Sequence, residues 1–167
     1  MLHHASLARL MAGYDVPVSG RVTLGRKPMG LKGFNPGQWI GQHPEKAVNP
    51  RWKMHKTLNE GFRPDDTLLN QLGIDKQWLK RWPTELSSGE LQRFCLARAL
   101  SPGTRYLIAD KISTMLDPVT QAQIWAVLLH MVKRRNIGMV AISHDENLLN
   151  QVCGKIYPWE TIRQMAS

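Results

Sequence analysis

Between residues 105 and 143 the chain carries two short apolar runs with one long helical pattern between them. The first run is Arg105-Tyr106-Leu107-Ile108-Ala109-Asp110 and the second extends from Ile137 to Ser143. Asp117-Pro118 opens the intervening segment with a helix N-cap and a proline pre-set for the first turn. From there to about Arg135, Ile124, Leu128 and Met131 recur on one helical face. Neither apolar run alternates with polar residues, the pattern of strands buried on both faces. Strand, helix and strand joined by connections this short form a crossover unit whose two strands run parallel. A parallel sheet in turn needs helices over its faces. The expected class is α/β.

The rest of the chain is compatible with one domain of 167 residues. Hydrophobic residues make up 43% and charged residues 21%, a globular composition that argues against disorder. The longest apolar run, Ile124 to Leu129, is far below the roughly 18 residues of a membrane span. Met1-Leu2-His3-His4 lacks the charged start and apolar stretch of a signal peptide, so none is expected. Cys95 and Cys153 sit in apolar-patterned segments and read as buried thiols of a cytosolic protein. Helices are expected over 5–12, 66–72, 75–81 and 88–100. A short strand is expected over 20–24, a loop over 30–37 and a weak strand over 39–42, while 43–64 reads as irregular. His3 and His4 have no spaced partners, and no transition-metal site is expected.

Charge adds a second line of argument. Lys and Arg number 22 against 13 Asp and Glu, a net +9. Arg51-Trp52-Lys53-Met54-His55-Lys56 and Trp78-Leu79-Lys80-Arg81-Trp82 interleave base and aromatic, which can track phosphates and stack bases. A scattered cationic excess is more commonly a solvated surface, and no nucleic-acid partner is expected. Lys133-Arg134-Arg135 ends a helix, where cations complement the dipole.

The chemistry-bearing segment is Leu86-Ser87-Ser88-Gly89-Glu90-Leu91-Gln92-Arg93, followed by Ala97-Arg98-Ala99-Leu100. A serine and a glycine opening a helix present backbone N–H groups and a hydroxyl to an anion at the positive end of the dipole. By themselves they also suit a simple cap. The segment resembles the signature motif of ATP-binding-cassette (ABC) ATPases, and other pieces follow in the family's order. The strand ending in Asp110 resembles the Walker B strand, which implies that Asp110 holds Mg through water. Ser113-Thr114-Met115-Leu116-Asp117 resembles the D-loop, His144 stands at the switch histidine, and Gln42 at the Q-loop glutamine. Gln42-His43-Pro44 with Val48-Asn49-Pro50-Arg51 resembles the Q-loop region of the oligopeptide, dipeptide and nickel importers.

Two departures from the family matter. No Gly-x-x-x-x-Gly-Lys-Ser/Thr P-loop occurs, and the helix after it is resembled by Ser6 to Gly13, which places His4 at the lysine and Ala5 at its hydroxyl neighbour. Lys111 occupies the position of the general-base glutamate, and an ammonium cannot take the proton of the attacking water. Lys111 has a milder reading as a partner of Asp110 or of a phosphate. Ser88 for glycine and Glu90 for glutamine are smaller changes. The expectation is an incomplete P-loop NTPase fold, head-truncated and marginal alone, because losing a central strand forfeits burial comparable to a domain's whole stability of about 5–15 kcal/mol.

The resemblance thus implies an ATP-binding subunit of an ABC importer for peptides, nickel or similar solutes. In it, residues 43–100 form the Q-loop and helical signature region, and 101–157 the Walker B, D-loop and switch-histidine core. It implies ATP and Mg as cofactors, with Ser87, Ser88, Gly89 and Glu90 turned to a partner's ATP, Asp117 in the D-loop, and His144 and Gln42 catalytic. The implied partners are a second ATPase subunit, as homo- or heterodimer, and transmembrane permease subunits. The implied place is cytoplasmic, on the inner face of the cell membrane. The alternative is a non-catalytic dimerisation partner or regulator of a full-length ABC ATPase.

Overall fold

The computed structural model describes residues 4–24, 27, 28 and 33–165, excluding the side chains at 4, 5, 27, 28, 163 and 165. His4 and Ala5, aligned to the P-loop lysine and its neighbour, are therefore described in backbone only, and part of the 30–37 loop lies outside the described residues. In chain order the elements are α1 (His4–Met11), β1 (Thr23–Leu24), β2 (Lys27–Pro28), β3 (Gly37–Ile40), α2 (Met54–Leu58) and α3 (Asp66–Gln71). They continue with α4 (Ser88–Ala99), β4 (Tyr106–Asp110), α5 (Pro118–Arg134), β5 (Gly138–Ile142), α6 (Glu146–Val152) and α7 (Trp159–Met165). Short 3₁₀ turns occupy Pro44–Lys46, Lys76–Lys80 and Pro83–Glu85. The class is α/β, as the crossover unit predicts. No helix among the described residues is long and apolar enough to cross a membrane.

A three-stranded sheet runs β3-β4-β5 with both pairings parallel. The register sets Ile40 beside Ala109 and Asp110 beside Ile142. Strand β4 is buried from Leu107 to Asp110. Because side chains alternate across a strand, Leu107 and Ala109 enter the main core and Ile108 packs on Ala8 of α1 and on Ala12 just past its end. The main core is filled from α2, α3, α4 and α5, with Phe94, Leu96, Ile124 and Leu128 at 1% exposure or less.

Four expectations are corrected. β5 is not a second buried strand: its pattern alternates between exposed and half-buried, and Val140 is 39% exposed. The physical reason is that α1 lies across β3 and β4, reaching β5 only at Ile142 and leaving Val140 uncovered, and that β5 pairs only with β4 among the described residues. The strand over 20–24 contracts to Thr23–Leu24, paired antiparallel with β2. Residues 75–81 form a 3₁₀ turn rather than an α-helix; Asp75 caps Gln77, and the short segment tucks only half-buried residues inward. Cys153 is half-buried at the end of α6, whereas Cys95 is buried on α4, where loss of solvation pushes its thiol up to about 12.

Helices α4 and α5 meet near their starts. A Cβ on Gly89 would lie 2.9 Å from Cγ2 of Thr120 and 3.7 Å from Cδ2 of Leu116, so only glycine permits this approach without movement. Two outcomes follow from the packing. Phe94→Ala should lower unfolding free energy by about 3–5 kcal/mol, read as a fall in the urea midpoint. Gly89→Ala should destabilise by about 1–3 kcal/mol, and adding Thr120→Ser, which removes the clashing methyl, should return most of that loss in the same measurement.

Candidate functional site

Three parallel strands end at the same edge of the sheet, and the predicted residues line up along it. Gln42 lies two residues past β3, Asp110 closes β4, and His144 lies two residues past β5. With neighbouring strands about 4.8 Å apart, the row spans about 10 Å. Crevices at the carboxyl ends of parallel strands are where open α/β sheets hold ligands. Asp110 is buried at 5% exposure. The turn that follows is built by Lys111, whose φ of 54° is left-handed and whose N–H donates to the Ile142 carbonyl at 2.9 Å. A non-glycine residue in that conformation costs about 1–2 kcal/mol, here offset by the link to β5. Ser143 and Asp145 set the turn around His144: the Asp145 N–H donates to the Ser143 hydroxyl at 3.0 Å, and Asp145 caps α6 at Leu148.

A second group forms at the start of α4. Ser87 is the N-cap, accepting from the Glu90 N–H at 3.3 Å, while the Glu90 carboxylate accepts from the Ser87 N–H at 2.7 Å. This capping box fixes the first turn. It leaves the N–H groups of Ser88 and Gly89, the orphan donors of the first helical turn, pointing out of the helix on an exposed or half-exposed stretch. Gly89 is held against Leu116 and Thr120, which brings the D-loop residues to the same place. Asp117 caps α5, accepting from the Val119 and Thr120 N–H groups at 3.0 Å, and the hydrogen bonds from Thr120 hold its carboxyl below the usual carboxylate range. Ser113 is buried and accepts from the Trp125 indole N–H at 3.0 Å, tying the loop after Lys111 to α5.

The structure therefore sorts the predicted residues into two groups joined by residues 111–117. Gln42, Asp110, Lys111 and His144 form the strand-end row; Ser87, Ser88, Gly89, Glu90 and Asp117 surround the α4 start. The groups differ in their fit to a nucleoside triphosphate with Mg. The row supplies a carboxylate, an amide and an imidazole, but the 167 residues contain no Gly-x-x-x-x-Gly-Lys-Ser/Thr, so the nest of backbone amides that wraps a triphosphate is missing from the chain's own row. The α4 start fits the anionic end of such a ligand: two outward amides, two serine hydroxyls and the positive end of a 12-residue helix.

The simple cap that these serines suit is realised as a Ser-x-x-Glu capping box, in which the return bond from Glu90 is the part the sequence reading lacked. The close contact of Gly89 with Thr120 has no local signal, since the two are distant in sequence. Arg93 was missed in the same way. It donates to the Leu72 carbonyl at 2.7 Å and to Gln123 at 3.0 Å, bracing the α4 start against α3 and α5. Arg135 does more than complement a helix dipole: its guanidinium donates to the carbonyls of Leu100 and Ser101, locking the turn before β4.

Known proteins resemble this chain in sequence and in fold. The family model described as ABC transporter matches residues 5–114. The nickel import ATP-binding protein NikE of Rhodospirillum rubrum is 29% identical over 173 residues, covering 91% of this chain and 62% of that protein. NikE of Escherichia coli K12 is 29% identical, covering 91% and 64%, and the metal-staphylopine import system ATP-binding protein CntF of Staphylococcus aureus is 29% identical, covering 91% and 67%. The chain thus spans about two thirds of the length of these relatives. Among solved structures, cbiO1 from Clostridium perfringens, part of the ABC transporter complex cbiONQ, superposes with a TM-score of 0.72 at 21% identity, covering 89% of this chain and 65% of that one. A dimeric post-hydrolysis state of the ATP-binding cassette MJ0796 bound to ADP and Pi gives 0.69 at 18%, covering 86% and 71%. The fold, the order of the motifs and the family match lead to one conclusion: the chain belongs to the ABC transporter family.

Proposed function

We propose that this polypeptide acts in an ABC importer for nickel, peptides or related small solutes as the half of a nucleotide clamp that closes over a partner's ATP. The observation that carries the reading is the α4 start. The Ser88 and Gly89 amides face outward, while the Ser87–Glu90 capping box and the Thr120 contact hold them in place. In this role Ser87 and Ser88 donate hydroxyl and backbone hydrogen bonds to the terminal phosphate of ATP held by a neighbouring ATPase, and Asp117 and Leu116 pack beside them. The names of the similar NikE and CntF proteins favour import of a metal or its chelate. In the assembly the chain sits on the inner face of the membrane beneath permease subunits.

The chain's own strand-end row serves a different purpose. When bound, Mg with ATP supplies a polarised phosphoryl group. Asp110 is the residue here that would hold the metal through water, with Gln42 and His144 alongside. No base follows Asp110, because Lys111 is cationic and cannot accept a proton. The row is thus inactive in this chain, and a regulatory, non-catalytic partnership with a P-loop-bearing ATPase is the second reading, favoured by the same lysine.

The test uses the purified 167-residue chain and a P-loop-bearing importer ATPase whose own signature serine is disabled. Alone, the chain should show no saturable binding of labelled ATP at concentrations up to about 1 mM, a range in which many nucleotide enzymes saturate. Mixed with the crippled ATPase, it should restore turnover. Ser88→Glu, which sets a carboxylate against the phosphate, should abolish that restoration. Micromolar ATP binding by the isolated chain, or full restoration by the Ser88→Glu chain, overturns the reading.

A further inference from the structure

Residues 111–117 connect the strand-end row to the α4 start, and short hydrogen-bonded turns shape that connection. The Lys111 N–H reaches the Ile142 carbonyl, the Thr114 N–H donates to the Lys111 carbonyl at 3.2 Å, and the Leu116 N–H donates to the Ser113 carbonyl at 3.1 Å. Asp117 closes the stretch as the cap of α5. Ile112 and Ser113 are buried, whereas Thr114 and Met115 are exposed. At 4% exposure the Ser113 hydroxyl is not offered to a ligand on the surface. The group it meets instead is the indole N–H of Trp125.

Trp125 lies about 12 Å along the α5 axis from Asp117, at 1.5 Å per residue. Helical side chains lean toward the N-terminus of their helix, so the indole comes back over the start of α5, where the loop lies. Trp125 is buried too, and a buried indole N–H or hydroxyl left without a partner costs more than the bond itself contributes. Each group therefore holds the other. The span from Ser113 to Asp117 is pinned to one helix at both ends, by the indole at one end and the cap at the other. Within that span, Leu116 lies beside Gly89. We propose that Trp125 is a positioning residue of the nucleotide clamp: through Ser113 it fixes the 113–117 loop on α5, and so sets where Leu116 and Asp117 stand beside the Ser88 and Gly89 amides. This role rests on the clamp reading for its consequence, while the fixing of the loop is measurable in the isolated chain.

A bond that only satisfied two buried polar groups would lose its importance once both were removed. A bond that places a loop leaves the loop loose in either case. The experiment follows three quantities: NMR-detected amide exchange at Thr114 and Leu116 in the purified chain, its urea midpoint, and the turnover it restores to a P-loop-bearing ATPase whose signature serine is disabled. Ser113→Ala and Trp125→Phe should each speed exchange at both amides about tenfold and lower the restored turnover about fivefold, the range of one hydrogen bond. In Trp125→Phe/Ser113→Ala the urea midpoint should be no lower than in Trp125→Phe, with exchange and turnover still at the single-variant values. Val132→Ala removes buried methyl groups farther along α5. It should lower the midpoint yet leave exchange and turnover within about twofold of the unaltered chain. Exchange unchanged in Ser113→Ala, exchange slowed again in the double variant, exchange equally fast in Val132→Ala, or full turnover with both single variants overturns the proposal. Failure of the unaltered chain to restore turnover overturns the clamp reading instead, and the exchange rates then decide alone whether Trp125 fixes the loop.

Discussion

Strand β4 is the element on which the rest of the molecule hangs. Among the described strands it alone has neighbours on both sides, and both its faces are covered, Leu107 and Ala109 by the main core and Ile108 by α1. Burial on two faces requires an unbroken apolar run, and the run can end only where the strand leaves the core. That exit is Asp110 and then Lys111, so the same constraint that fills the sheet's centre delivers a carboxylate and an ammonium to its rim. The ladder to β3 and β5 then decides which other residues share the rim, because parallel register carries Gln42 and His144 to the same edge.

Helix termini complete the site. Both α4 and α5 begin with a side chain that accepts amides of its own first turn, Ser87 in one case and Asp117 in the other. Gly89 lets the two beginnings touch. Arg93 then reaches from α4 to the end of α3 and to α5, so the start of α4 is braced on two neighbouring elements. A loop required to meet a charged ligand with fixed geometry needs this kind of support, since each misplaced donor weakens the whole set.

Much of this was legible in the sequence, and the reasons are local. Asp117-Pro118 signals a helix start wherever it falls, Phe94 and Cys95 share a stripe set by helical period, and β4 announces itself by apolar residues ending in aspartate. The order of motifs along the chain then identified the family without any coordinates. What escaped depends on distances that sequence does not encode. The half-exposed state of β5 follows from how far α1 reaches, which its own residues do not reveal. The contact of Gly89 with Thr120 and the union of residues 51–56 with 78–82, where the Met54 N–H donates to the Arg81 carbonyl at 3.0 Å, come from tertiary packing. The 3₁₀ form of Lys76–Lys80 reflects a segment too short, and too weakly anchored in the core, to complete α-helical turns.

The open side of β5 has a consequence for how the chain behaves in a tube or a cell. Its residues, Gly138 to Ile142, combine a sequence suited to the middle of a sheet with a place at its end, since among the described residues only β4 pairs with them. No lysine, proline or bulge interrupts that side, the usual safeguards of a terminal strand. Isotope exchange should accordingly be quicker in β5 than in β4, although its residues are the more apolar of the two. At high concentration the same unguarded ladder offers a template for pairing between copies of the chain.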